Sequence, residues 1–226
     1  MLAPALAGHA GGPPLPGTID DDTLLGAVER AMDEAGFQTA HLVGNSLGGY
    51  LALRLAARGR AESVVALAPA GGWATGDVGE QESLAHFYRV LDAVPAAVPY
   101  VDQLVSTRQG RRLVTEFICE NFDHIPAELL VHQLLGIVAC EGARRLAAYG
   151  EASGWPLPDE APDCPVRVIW GTEDRILTWP GAAARHRDGW LKDADWVVLD
   201  GVGHCPQLDV PAETVELILE FTGRGR

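Results

Sequence analysis

Gly44-Asn45-Ser46-Leu47-Gly48, followed by Gly49, decides how this chain folds. Ahead of it, Thr39-Ala40-His41-Leu42-Val43 reads as a buried strand; behind it, Leu47 to Arg58 reads as an apolar helix. A serine on the sharp turn between strand and helix is the G-x-S-x-G arrangement that lifts a nucleophile clear of a sheet. Such a turn strains the backbone at Ser46, so the positions two residues away on each side, Gly44 and Gly48, are expected to be small to let strand and helix approach. The same turn directs the Leu47 N–H toward a developing oxyanion.

Working outward, the composition bounds the answer. With 226 residues and a hydrophobic share of 47%, the chain can bury a core, and one domain with an inserted subdomain is the default. The formal charge of −14, from 31 acidic against 17 basic residues, argues against nucleic acid or an anionic membrane as partner. A small-molecule substrate is the partner expected; oligomeric state is not legible. Cys119, Cys140, Cys164 and Cys205 follow no metal spacing and read as reduced thiols. No apolar run reaches transmembrane length, and Met1 to Ala7 lacks the basic start and apolar length of a signal peptide. A cytoplasmic protein is the expectation.

Asp20 to Gly36 reads as a helix, with Asp20-Asp21-Asp22 at its start, Leu24, Leu25, Val28 and Met32 on one face, and Gly36 as its stop. Ser63 to Ala68 is a second strand, ended by Pro69-Ala70-Gly71-Gly72. The alternation implies an α/β fold with a mostly parallel sheet. From Gly79 to about Tyr149 the spacing turns helical throughout, with Pro126 near the start of one helix. Residues 79–149 are therefore expected to form a helical lid inserted into a core of residues 1–78 and 150–226, with Trp73, Phe87 and Tyr88 as candidates to line the substrate pocket. His132 is expected in the core or pocket. Glu151 to Cys164 reads as a linker, Val166 to Trp170 and Trp196 to Leu199 as the last strands, and Pro211 to Phe221 as a closing helix. On that helix Val215, Ile218 and Leu219 are expected to face the sheet and Glu213, Glu216 and Glu220 the water.

A serine hydroxyl needs a histidine to take its proton, and the histidine needs a carboxylate to fix its tautomer. Gly171-Thr172-Glu173-Asp174 directly follows one strand and Gly201-Val202-Gly203-His204 the last, at the sheet edge where sites on parallel sheets lie. Asp174 and His204 are thus the candidate acid and base, with Glu173 the nearest rival acid. Of the other histidines, His41 lies inside a strand, His86, His124 and His132 lie within residues 79–149, His9 precedes the serine, and His186 does not follow a strand.

Three stretches now resemble one family: His41 to Gly49, Val168 to Asp174, and Gly203-His204-Cys205-Pro206-Gln207-Leu208-Asp209-Val210-Pro211. In order and context they are similar to the α/β-hydrolase superfamily, in its lid-bearing branch of esterases, carbon–carbon bond hydrolases and cofactor-free haloperoxidase-like enzymes. The resemblance implies a Ser46–Asp174–His204 triad, no cofactor and no metal, and a serine hydrolase acting on a small ester or related acyl substrate through an acyl-enzyme. A carbon–carbon bond hydrolase or thioesterase is the second enzyme reading. Serine at the elbow implies exclusion of the superfamily's dehalogenases and epoxide hydrolases, which use aspartate there.

One departure stands out. In this family the elbow follows the fifth strand, yet only 45 residues precede Ser46. Pro4-Ala5-Leu6-Ala7-Gly8-His9-Ala10-Gly11 resembles the loop after strand four, which leaves the first three strands and their His-Gly oxyanion loop without counterpart. His9-Ala10-Gly11-Gly12 is the alternative for that loop. The expectation is an N-terminally truncated α/β-hydrolase, with a non-catalytic, ligand-binding or inactive remnant as the third reading.

Overall fold

Hydrophobic alternation and punctuation set the element order. The computed structural model describes residues 1–73 and 78–223. In chain order the elements are α1 (Asp21–Glu34), β1 (Ala40–Asn45), α2 (Leu47–Ala57), β2 (Ala61–Leu67), α3 (Val78–Ala97), α4 (Val101–Val105), α5 (Arg108–Thr115), α6 (Ala127–Val138), α7 (Ala143–Ser153), β3 (Val166–Gly171), β4 (Asp195–Leu199), α8 (Pro206–Asp209) and α9 (Pro211–Gly223). Asp20 caps α1 by accepting the Thr23 N–H at 2.7 Å, and Gly36 ends the helix region at φ 81°.

The strands form one parallel sheet in the order β1-β2-β3-β4. β1 therefore lies at an edge of the four-stranded sheet seen among the described residues. Period-two alternation along β2 and β3 builds a core on each face. Val64, Ala66 and Ala68 of β2 and its end, with Val166, Val168 and Trp170 of β3, pack against Ala52, Leu53 and Ala56 of α2. Val65, Leu67 and Ile169 point the other way and meet Leu217, Ile218 and Phe221 of α9. Arg167 is buried on that second face, where it bonds Asp195, the Leu217 carbonyl and Glu220 and lies 4.8 Å from the Phe221 ring centre.

The chain divides into two compact units. One comprises Met1–Gln38, Glu82–Val114 and Asp123–Gly154 and is helical; the other comprises Thr39–Gln81, Thr115–Phe122 and Trp155–Arg226 and holds the sheet. Compactness thus groups the first 38 residues with the helices and Thr115–Phe122 with the sheet. Within the helical unit, Gly142 N–H donates to the Gly8 carbonyl at 2.9 Å, which seats the N-terminal loop at the start of α7. Among the described residues no helix is long and apolar enough to cross a membrane.

Three expectations need correction. The buried stripe of α9 is Thr214, Leu217, Ile218 and Phe221, whereas Val215 and Leu219 are 51% and 63% exposed. Apolar residues at 215, 217, 218, 219 and 221 leave the phase of this helix ambiguous, and the sheet face picks the i, i+3, i+4, i+7 set that begins at Thr214. His132 is exposed on α6 rather than buried. The linker begins only after α7, because Gly154 at φ 63° supplies the left-handed C-cap that ends that helix.

Candidate active site

The strand-to-helix turn after β1 carries the strain that its sequence demands. Ser46 sits at φ 55°, ψ −117°, a region that L residues rarely adopt. Hydrogen bonds hold it there: Ser46 N–H donates to the Leu67 carbonyl at 2.9 Å, and the Ser46 carbonyl accepts from Tyr50 N–H at 3.0 Å and Ala70 N–H at 3.1 Å. Gly44 is indispensable, since a Cβ there would lie 2.2 Å from the Gly48 carbonyl oxygen. Gly48 is different. A Cβ at that position meets nothing within 4 Å, and the second tight glycine is Gly49, whose Cβ would come within 3.2 Å of Gly44 O and Pro69. Leu47, the first residue of α2, has an N–H that no carbonyl of its own helix can accept.

The candidate acid and base, Asp174 and His204, lie in the loops after β3 and β4. Asp174 is 3% exposed and His204 4%, and His204 Nδ1 is 2.8 Å from Asp174 Oδ2. Asp174 Oδ1 accepts the N–H groups of Ile176 and Leu177 at 2.9 and 2.7 Å, so the carboxylate is fixed at both oxygens. With Nδ1–H donating to a carboxylate, Nε2 is the nitrogen left to act as a base. The loops meet closely, because a Cβ on Gly171 would lie 2.0 Å from the Val202 carbonyl oxygen. Glu173, the rival acid, uses its backbone N–H on the Val202 carbonyl at 2.9 Å, and its neighbour Asp174 is the one bonded to histidine.

Asn45, which the sequence reading passed over, links serine and histidine. Its Nδ2 donates to the Leu67 carbonyl at 3.1 Å and to the His204 carbonyl at 3.0 Å, and its Oδ1 accepts from Gln207 Nε2 at 3.2 Å. Two carbonyls on one end and an amide donor on the other fix the orientation of the side chain. The residue before the elbow serine thereby grips the backbone of the base loop. Its position inside G-N-S-L-G was the only signal available in the sequence.

Cys205, next to His204, is no rival nucleophile: burial chiefly, then Cys119, Asp174 and Asp209 nearby, push its thiol well above the usual range. Trp73 packs in the α2 face core, and its indole nitrogen is buried without a hydrogen-bond partner among the described residues. Phe87 and Tyr88 belong to the helical unit, where their rings meet edge to face at 6.4 Å.

Comparison with known proteins agrees with this architecture. The chain is 34% identical over 205 residues to epoxide hydrolase EphH of Mycobacterium tuberculosis, covering 88% of this chain and 92% of that protein. Among solved structures, a meta-cleavage product hydrolase from Pseudomonas fluorescens IP01 superposes with a TM-score of 0.68 at 17% identity, over 98% of this chain and 78% of that one. A thermophilic esterase from Thermogutta terrifontis gives 0.66 at 20% identity, over 97% and 78%. Both likenesses concern the fold. The model of the alpha/beta hydrolase family matches residues 1–217. The chain belongs to the alpha/beta hydrolase family.

Proposed function

We propose that the chain is a serine hydrolase that cleaves a small ester or related acyl substrate through an acyl-enzyme. The observation that carries this reading is the buried Asp174–His204 pair at 2.8 Å, whose loop Asn45 ties to the strained Ser46 turn. In the first step Ser46 Oγ forms a bond to the carbonyl carbon while His204 Nε2 takes the hydroxyl proton. Asp174 holds the imidazole and balances the imidazolium, and the Leu47 N–H donates to the oxyanion. Collapse breaks the bond to the leaving alkoxide, which receives the proton from His204. Water, deprotonated by the same nitrogen, then releases the acid and restores Ser46.

The mycobacterial relative supplies a second reading, epoxide opening. Covalent epoxide hydrolysis needs a nucleophile whose adduct water can cleave. A carboxylate yields an ester, whereas Ser46 would yield an ether that a His–Asp pair has no means of hydrolysing. Epoxide opening here would therefore run through water activated directly by His204, with Ser46 dispensable.

One experiment separates the two. Fluorophosphonate labelling and p-nitrophenyl acetate turnover are measured beside styrene oxide hydrolysis for the unaltered protein and Ser46→Ala. The ester reading expects labelling and ester turnover that Ser46→Ala abolishes. Labelling or ester turnover that survives the substitution rejects the Ser46 assignment, and epoxide turnover indifferent to it, with no ester turnover in the unaltered protein, selects the second reading.

A further inference from the structure

Asp209 sits five residues beyond His204 and is 2% exposed, a carboxylate taken wholly out of water. Its Oδ2 accepts the N–H of Gly203 at 2.7 Å and of Glu120 at 2.8 Å, and its Oδ1 accepts the Asn121 N–H at 2.8 Å and Asn121 Nδ2 at 2.7 Å. Four short bonds from N–H donors to one carboxylate offset its burial and define its position closely. Three of them come from the segment Thr115–Phe122, which lies between stretches of the helical unit in sequence but belongs to the sheet unit.

The same segment holds the other flank of each catalytic loop. Cys205 N–H donates to the Ile118 carbonyl at 2.9 Å, so both chain neighbours of His204 are tied to residues 115–122: Gly203 through Asp209, Cys205 directly. Arg175, beside Asp174, pairs with Glu120 at 2.8 Å and donates to the Glu116 carbonyl at 3.1 Å. With Asn45 on the His204 carbonyl, the backbone of the base is held on three sides.

We propose that Asp209 is a positioning residue for the proposed acid–base pair, whose carboxylate clamps the His204 loop to residues 115–122 and so sets the register of His204 Nδ1 against Asp174. The proposal rests on the serine-hydrolase reading. In Asp209→Asn the size is kept, but one of the two oxygens becomes an NH2 group. Whichever way the amide turns, two of the four N–H donors then face a donor. Small misplacements of a catalytic group cost large factors in rate.

The test compares the unaltered protein, Asp209→Asn and Asn121→Ala, the last removing a single donor from an exposed residue. It reads kcat and KM for p-nitrophenyl acetate, the rate of fluorophosphonate labelling of Ser46, and the far-downfield proton resonance of His204 Nδ1–H. Asp209→Asn is expected to lower kcat and the labelling rate together by roughly 10- to 100-fold at nearly constant KM, and to shift or broaden the resonance. Asn121→Ala is expected to lower kcat by about three-fold, the equivalent of roughly 0.65 kcal/mol. Folded variants with unchanged kcat and resonance overturn the proposal. If Asp209→Asn does not fold, Asn121→Ala decides by the same readouts. Should the unaltered protein show neither ester turnover nor labelling, the serine-hydrolase reading fails, while the proton resonance still tests the positioning.

Discussion

Replacing Asn45 separates two accounts of the elbow, in which that residue is either a spacer or a tether. In Asn45→Ala, four bonds are lost, to the carbonyls of Leu67 and His204, from Gln207, and a weak one from the Cys205 thiol. They do not weigh equally. The Leu67 carbonyl still accepts Ser46 N–H at 2.9 Å, and the exposed Gln207 amide can turn to water. The His204 carbonyl, in a buried residue, loses the partner that Asn45 provides, at a cost of about 1–3 kcal/mol. A total near 2 kcal/mol is expected, which for a chain of this size lowers Tm by about 4–8 °C. Turnover should fall further than stability implies, by more than about ten-fold, because the freed loop carries the base. Asn45→Asp sharpens the test. It keeps the volume but sets a carboxylate oxygen against two carbonyl oxygens near 3 Å. The expected order of kcat for p-nitrophenyl acetate, in samples verified as folded by circular dichroism, is unaltered, then Asn45→Ala, then Asn45→Asp. If Asn45→Asp matches the unaltered protein, volume alone suffices and the tether argument is refuted.

The two elbow glycines should respond oppositely, Gly44→Ala losing at least about 2 kcal/mol by collision with the Gly48 backbone and Gly48→Ala gaining up to about 1 kcal/mol from helix propensity; thermal melts that move both the same way contradict the geometry. Burial holds His186 down to about 4, against the Ala70 carbonyl bond, which favours the charged form, with Arg185 adding to the depression. Folded His186 thus stays neutral while the unfolded chain takes up a proton below about 6.5, so stability is lost as pH falls through that value and levels off below about 4, for roughly 3 kcal/mol in all. Urea denaturation at pH 7 and pH 5 should show His186→Gln losing about 2 kcal/mol less over that interval than the unaltered protein; equal losses reject the assignment.

What was legible in the sequence shares a physical character. The elbow could be read because a strained serine forces a glycine at a fixed offset, and Gly44 meets that demand within four residues of chain. Asp174 and His204 could be read because each directly follows a strand, and a parallel sheet delivers the ends of its strands to one edge. Helix phase was less legible: on α9, apolar residues occupy two overlapping stripes, and only the opposing face of β2 and β3 selects Leu217, Ile218 and Phe221 over Val215 and Leu219.

Asn45 and Asp209 were invisible for a different reason. Their partners lie 159 and about 88 residues away in sequence, and neither residue type has a periodicity that would announce a buried role. An asparagine at the end of a strand and an aspartate two residues ahead of a proline have ordinary local explanations. Their function exists only once β1, β3 and β4 bring three loops together, and it is to remove freedom from those loops rather than to react. Motifs therefore point to candidate groups for the chemistry, while the bonds that hold those groups in register are a property of the assembled sheet. In this chain the histidine is the clearest case: its ring is held by Asp174, its carbonyl by Asn45, and its two neighbours by residues 115–122 through Asp209 and Ile118.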